Sequence, residues 1–456
     1  MFIENIKPFQ GSRTVDLTLT RPNGSHAGWT VLAGRNGAGK TTLLRALALA
    51  LSGPAPARGL VQGFEDWVTW GAPEGRVEAG IVKDADFDSF GAPQRMSDSF
   101  SAGLKCVSPD GMAFDRETLG RRRGQPALSE IQFPESPHDL SARKGPWADN
   151  PDGWFCAGYG PFRRLSGGSA EVQRLMLASG PVARQASLFH ADASLAESVS
   201  WLTGQHLRAL EGREGAAELK LAALNVLQDG LLPDGYRIVD ADSDGLWVER
   251  SNRRFPLREM SDGFRAVAAL VVDILRQLYE AFGDYPVDLG KAPGIVLIDE
   301  IEAHLHVSWQ RRIGPWLTSH FPNIQFIVTT HSPYICQAAD PGGLIRLPGV
   351  DEDAAPDVVS DDLYERVVYG SGDDAVLSDL FGLDTPYSER AERVRAEFVA
   401  LESKVYDGDT SPDTVERYQE LKNLLSSSPA ARVQEMSAQL HRIAEEIGDG
   451  EGGETE

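Results

Sequence analysis

Apolar positions along the chain change period several times, and each change marks an element. Phe2, Ile3 and Ile6, then Val15, Leu17 and Leu19, alternate in places and predict one or two edge strands. Residues 28–33 (GWTVLA) form a short apolar strand, and the LLRALALALSG behind them has helical spacing that ends at Gly53-Pro54. Residues 54–150 are rich in Gly, Pro, Ser and Asp, with strand-like pieces such as RVEAGIV, and predict an irregular or β-rich insertion. From about residue 166 to 230 the spacing turns helical. A hairpin follows, with strand YRIVDA, turn Asp242-Ser243-Asp244-Gly245 and strand LWVER. In the next segment Phe264, Val267, Ala268, Val271, Ile274, Leu275 and Leu278 share one helical face. Residues 295–298 (IVLI) and 325–330 (QFIVTT) are apolar without alternation, as expected of parallel strands covered on both sides. Beyond 385 the chain is charged and helical, including a stretch at 431–447, and ends in an acidic tail expected to be disordered.

A length of 456 residues is enough for two or three domains with a sizeable core. No apolar run approaches the roughly 20 residues that a membrane helix needs, and the start MFIENIKPF lacks the pattern of a secretory signal. Cys106, Cys156 and Cys336 are widely spaced, which fits a reduced, cytoplasmic setting and not a disulfide framework. The net charge of −23 opposes general coating of DNA, whose binding requires neutralised phosphates. Any DNA contact would have to use a local basic run: Arg121-Arg122-Arg123, Arg163-Arg164 or Arg253-Arg254.

Gly34–Thr41 reads G-x-x-x-x-G-K-T between a strand and a helix, the context a phosphate-binding loop requires. Gly34, Asn36, Gly37, Ala38, Gly39, Lys40, Thr41 and Thr42 are therefore the expected nucleotide contacts. Gly37 and Gly39 let amides curl around phosphate oxygens, and Lys40 is expected to reach the β- and γ-phosphates. The Thr41 hydroxyl is expected on Mg²⁺.

The stretch GIVLIDEIEAHLH at 294–306 supplies the second half of such a site. Asp299 at a strand end is expected to hold Mg²⁺, directly or through water, and Glu300 to accept a proton from the attacking water. A zinc site built on His304 and His306 competes with this, but no Cys/His cluster at a recognisable spacing completes four ligands. Glu302 through His306 are expected to form a loop facing a neighbouring subunit. His331 follows another apolar strand, at the edge of a sheet where ligands bind, and is expected beside the γ-phosphate. Ser261-Asp262-Gly263 precede a helix whose free amides suit an anion.

Together, Gly34–Thr42, Met260–Arg265, Ile298–His306 and Thr330–Pro333 resemble the ABC-type ATPases of the RecF/SMC/OLD branch. More narrowly, they resemble bacterial AAA family ATPases such as those of Septu-like anti-phage systems. The resemblance implies an α/β P-loop NTPase fold of ABC-ATPase type, with an N-terminal β-lobe or insertion and a helical C-terminal region. It implies ATP and Mg²⁺, and a head-to-head homodimer in which Lys40 and Thr41 of one subunit face Ser261, Asp262 and Gly263 of the other. It also implies a protein effector such as an HNH-type nuclease; a RecF-like role on DNA is the alternative. Met260 and Val307 depart mildly from the family pattern, and its Q-loop glutamine is not identifiable, with Tyr159 and Arg163 in its place in the order. The expected division is an ATPase core over 1–53 and 235–385, an inserted lobe over 54–234, and a helical region over 386–456.

Overall fold

A computed structural model describes residues 1–425 except 27, 62, 65, 85, 89–98, 108–126, 134–140, 149–150, 152, 164–168, 178–179, 283–288 and 409–410. The run Arg121-Arg122-Arg123 and the helix expected over 431–447 lie outside the described residues. Two compact units are present, Met1–Leu383 and Asp384–Glu456.

In the first unit the strands, in chain order, begin with β1 (Phe2–Glu4), β2 (Val15–Asp16), β3 (Trp29–Gly34), β4 (Glu74–Val82), β5 (Ser99–Val107), β6 (Ala127–Glu130) and β7 (Cys156–Tyr159). They continue with β8 (Arg237–Asp242), β9 (Gly245–Arg250), β10 (Arg253–Pro256), β11 (Gly294–Ile298), β12 (Ile324–Thr330), β13 (Leu344–Leu347) and β14 (Asp357–Val358). A sheet of order β14-β13-β3-β12-β11-β7, parallel except for β14, carries the phosphate-loop strand near its middle. Strands β2-β1-β4-β5-β6 form an antiparallel sheet, and β10-β9-β8 a smaller one.

The apolar runs of the main sheet keep a period of two that burial on both faces hides. Val31 and Ala33 of β3, Val296 and Ile298 of β11, and Phe326 and Val328 of β12 join one core with the helix Asp262–Phe282. Leu32, Leu297 and Ile327 point the other way, into a core shared with the helix Lys40–Ser52 and the β1-containing sheet. Fully burying each such side chain contributes roughly 1.5–3 kcal/mol. A charge at Leu297, fully buried, would be left without a partner and would break this layer.

Residues 156–159, read from sequence as part of the inserted lobe, instead form β7, the edge of the core sheet beside β11. The glycines around Tyr159 explain the fit: a Cβ on Gly158 would stand 2.1 Å from Gln185 Oε1, and one on Gly160 would stand 2.4 Å from the Ser187 carbonyl. The helix Pro181–Phe189 can approach this strand only because both side chains are missing. A second departure follows Gly53, whose φ of 86° ends the helix Lys40–Ser52. Pro54 then opens a further short helix, Pro54–Leu60, at the position where its missing N–H costs nothing.

The helix Asp262–Phe282 is buried along most of its length. Asp273, fully buried within it, accepts from Tyr159 Oη (2.9 Å), Ser198 Oγ (2.6 Å), Arg276 Nη2 (2.9 Å) and Gln277 Nε2 (2.5 Å). These donors satisfy a carboxylate that would otherwise be prohibitive in the interior. In the second unit, helices Glu389–Tyr406 and Pro412–Leu425 pack through a Phe398–Tyr418 stack and an Arg417–Glu397 ion pair. Among the described residues no helix is long and apolar enough to cross a membrane.

Candidate functional site

The loop leaving β3 turns through left-handed backbone at Gly37 (φ 80°) and Gly39 (φ 99°). Gly39 is required twice over, because a Cβ there would also meet the Phe9 ring at 2.7 Å. The helix Lys40–Ser52 starts directly behind it with no side-chain cap, so its first-turn amides and positive end are left for an anion. Asn36 is exposed on the loop, Ala38 is buried, and Thr42 lies in the first helical turn. Lys40 is nearly buried, and its Nζ donates to the carbonyls of Gly34 (2.8 Å) and Arg35 (3.1 Å). Burial pushes its pKa down, while Glu302, Asp299 and Glu300 pull it up. Two of its three donors are engaged, which leaves one for a phosphate oxygen.

Thr41 Oγ1 donates to Asp299 at 2.9 Å (Oδ2) and 3.1 Å (Oδ1), joining the phosphate loop to the end of β11. Asp299 is buried, and Thr329 of β12 donates to its Oδ1 at 2.6 Å. The same Thr329 hydroxyl accepts the Glu300 amide at 2.8 Å. Glu300 sits in left-handed backbone (φ 46°), an uncommon state for a non-glycine residue that needs support from its surroundings. A hydroxyl facing a buried carboxylate is the hard oxygen pair that Mg²⁺ takes, with water and phosphate completing the shell, so the residues present fit that ion.

Glu302, at the start of the loop expected to face a neighbouring subunit, is engaged within its own chain. Its carboxylate accepts from Thr330 Oγ1 (2.7 Å) and the His331 amide (2.5 Å), tying the loop to β12 of the same chain. His306 likewise acts locally, capping the short helix Val307–Gln310 by accepting from the Ser308 amide at 3.3 Å. No group of three His, Cys, Asp or Glu side chains among the described residues is arranged to hold a metal, so the zinc reading of His304 and His306 finds no third ligand there. His331 keeps an exposed face at the end of β12. Partial burial and the nearby Lys40 ammonium push its pKa down, which favours the neutral imidazole.

Ser261 and Asp262 are exposed at the start of their helix, whereas Gly263 is closely packed. A Cβ on Gly263 would lie 2.2 Å from the His304 carbonyl, and His304 itself has a φ of 68°. The structure thus brings Lys40, Thr41, Asp299, Glu300 and His331 to one sheet edge, and packs the Ser261–Gly263 group on the 302–306 loop.

Sequence reasoning missed Thr329 and left Arg163 open. Two hydroxyl residues ending an otherwise apolar strand were the available signal for Thr329. Arg163, read as one candidate for a surface basic run, is instead buried, and donates to the carbonyls of Gly160 (2.8 Å), Asp299 (3.0 Å), Glu300 (3.0 Å), Ile301 (3.2 Å) and Ala303 (3.5 Å). Burial holds its guanidinium pKa down at about 10.

A phosphate loop, a strand-end Asp-Glu pair and a neighbouring strand that ends in Thr329-Thr330 and runs on into His331, on one edge of a parallel sheet, make up the parts of a P-loop nucleotide site. Sequence comparison agrees: an AAA-domain family model matches residues 1–69, and a model described as "AAA domain, putative AbiEii toxin, Type IV TA system" matches 197–337. The chain is similar to the Septu protein PtuA of Bacillus mycoides (strain KBAB4), at 26% identity over 337 residues, 73% of this chain and 38% of that one. It is similar to the Septu protein PtuA of Bacillus thuringiensis at 29% identity, over 47% of this chain and 54% of that one. It is also similar to the Retron Ec83 probable ATPase of Escherichia coli, 45% identical over 95 residues, 21% of this chain and 17% of that one. The matched regions therefore span 17% to 54% of these relatives' own lengths.

Proposed function

We propose that this chain binds ATP with Mg²⁺ and hydrolyses it, and that two copies close head to head around two nucleotides. The observation that carries the reading is the Thr41–Asp299–Thr329–Glu300 chain of contacts beside Lys40. Lys40 and the loop amides hold the phosphates, and Thr41 and Asp299 would hold Mg²⁺. The ion, when bound, screens phosphate charge. Glu300 takes the proton of the attacking water. His331, kept neutral, is placed to orient the γ-phosphate. Ser261, Asp262 and Gly263, exposed or half-buried at a helix start, meet the partner copy's nucleotide.

The engaged dimer controls a protein effector, a nuclease of the HNH type, in defence against phage; similarity to Septu PtuA and a retron ATPase supports this. DNA itself is less well supported as a partner. Arg163 is buried, and Arg254 pairs with Asp240 at 3.0 Å and lies over the Trp247 ring.

Glu300→Gln tests the reading. Turnover is expected to fall about 10²–10⁴-fold while ATP binding persists, and an ATP-dependent dimer should accumulate on size-exclusion chromatography. Undiminished hydrolysis by this variant would remove Glu300 from the reaction.

A further inference from the structure

We propose that Arg163 is the positioning residue for Glu300: by gathering the main-chain carbonyls of residues 299–303 it sets the turn from which the water-activating carboxylate projects. The inference rests on the reading of Glu300 given above.

Three observations carry it. First, Arg163 is 3% exposed, yet its hydrogen bonds go to carbonyl oxygens from two segments, the end of β7 and the turn after β11. A planar guanidinium with five N–H donors suits this task, and a lysine ammonium does not reproduce its fork. Second, the turn it holds contains two non-glycine residues in left-handed backbone, Glu300 (φ 46°) and His304 (φ 68°). Such backbone persists where neighbours over-determine it. Here the Glu300 amide is fixed by Thr329 at 2.8 Å, and the Glu300 carbonyl by Arg163 Nη2 at 3.0 Å and the Ala303 amide at 2.9 Å. Third, Arg163 follows four residues after the strand that pairs with β11, whose last residue, Tyr159, accepts the Asp299 amide on its carbonyl at 2.8 Å. The arginine therefore measures the acid's backbone against the sheet itself. It makes none of these hydrogen bonds to Lys40 or the phosphate loop.

The test compares wild type, Arg163→Lys and Arg163→Gln in the full chain. Steady-state ATP hydrolysis, binding of a fluorescent ATP analogue and thermal melting are measured for each. The expected result is a kcat lowered about 10–100-fold, the scale of misplacing a reacting group by about 1 Å, with analogue affinity changed less than about threefold. In a Glu300→Gln background, adding Arg163→Lys should then cause no further loss, because both changes disable one group. Wild-type kcat in both variants, equal losses of kcat and affinity, or additive losses with Glu300→Gln would overturn the proposal. So would failure of both variants to fold, which would assign Arg163 to stability alone. If wild type and Lys40→Ala show the same background hydrolysis, the ATPase reading itself has failed, a result distinct from any of these.

Discussion

The turn after β11 and the start of the helix Asp262–Phe282 meet at Gly263 and His304, yet they are restrained very differently. Around Asp299 and Glu300, groups from the turn after β11, from β12 and from the phosphate loop engage each other in a closed network. At Ser261 and Asp262 the side chains are exposed, and close packing begins only at Gly263. One region is engaged within a single chain; the other leaves its first side chains exposed. The contrast suits the proposed site shared between two copies, in which a group that meets a partner has to stay open until the partner arrives.

The largest expected effect tests the engaged region. Lys40→Ala removes the buried ammonium and should lower ATP affinity about 100-fold or more, the scale of charged hydrogen bonds lost in a dry site. Equilibrium binding of a fluorescent ATP analogue measures it, and retained affinity would sink the phosphate-loop assignment. Next comes Thr329→Val, which keeps volume but deletes both the donor to Asp299 and the acceptor for the Glu300 amide. About 1–3 kcal/mol of support is lost, so kcat should drop roughly 10-fold and the melting temperature should fall by a few degrees. An unchanged kcat would show that this network does not set the acid's position.

The open region should respond in another way. Gly263→Ala places a methyl group against the His304 carbonyl, so the helix start or the loop has to shift. ATP binding by the single chain should hold within about threefold, while ATP-dependent dimerisation of a Glu300→Gln background weakens about 10-fold, a cost of about 1.4 kcal/mol. Sedimentation or light scattering reads this. Loss of monomer binding instead would erase the distinction between the two regions. The smallest effect concerns chemistry outside both. Burial pushes the thiols of Cys106 and Cys156 up to about 12, and that of Cys336 higher still. Native protein at pH 8 should therefore resist alkylation that proceeds in denaturant, as mass spectrometry would show.

Much of the site was legible because it depends on residues with few substitutes. Gly37 and Gly39 occupy backbone that a side chain resists, so the phosphate loop announces itself. The strands β11 and β12 were readable from unbroken apolar runs, and Asp299, Glu300 and His331 from their places at strand ends. Other parts depended on distant pairing. β7 joins β11 across more than a hundred residues of chain, and its four residues carry no length or period that separates them from the insertion around them. The role of Arg163 stayed open for a related reason: a charged residue satisfied by carbonyls has no oppositely charged partner in the sequence to betray it. The ties of Glu302 were not legible because the hydroxyl and amide it binds lie on a separate stretch of chain, at the end of β12 and just after it.

The position of β12 between β3 and β11 also makes the sheet a ruler. Neighbouring strands lie about 4.8 Å apart, so β3 and β11, which lead into the phosphate loop and into Asp299-Glu300, end about 10 Å apart. That interval is written in main-chain hydrogen bonds, which side-chain substitution does not stretch. Drift in sequence can therefore alter what this chain touches at its outer surfaces while the gauge between Lys40 and Glu300 stays the same.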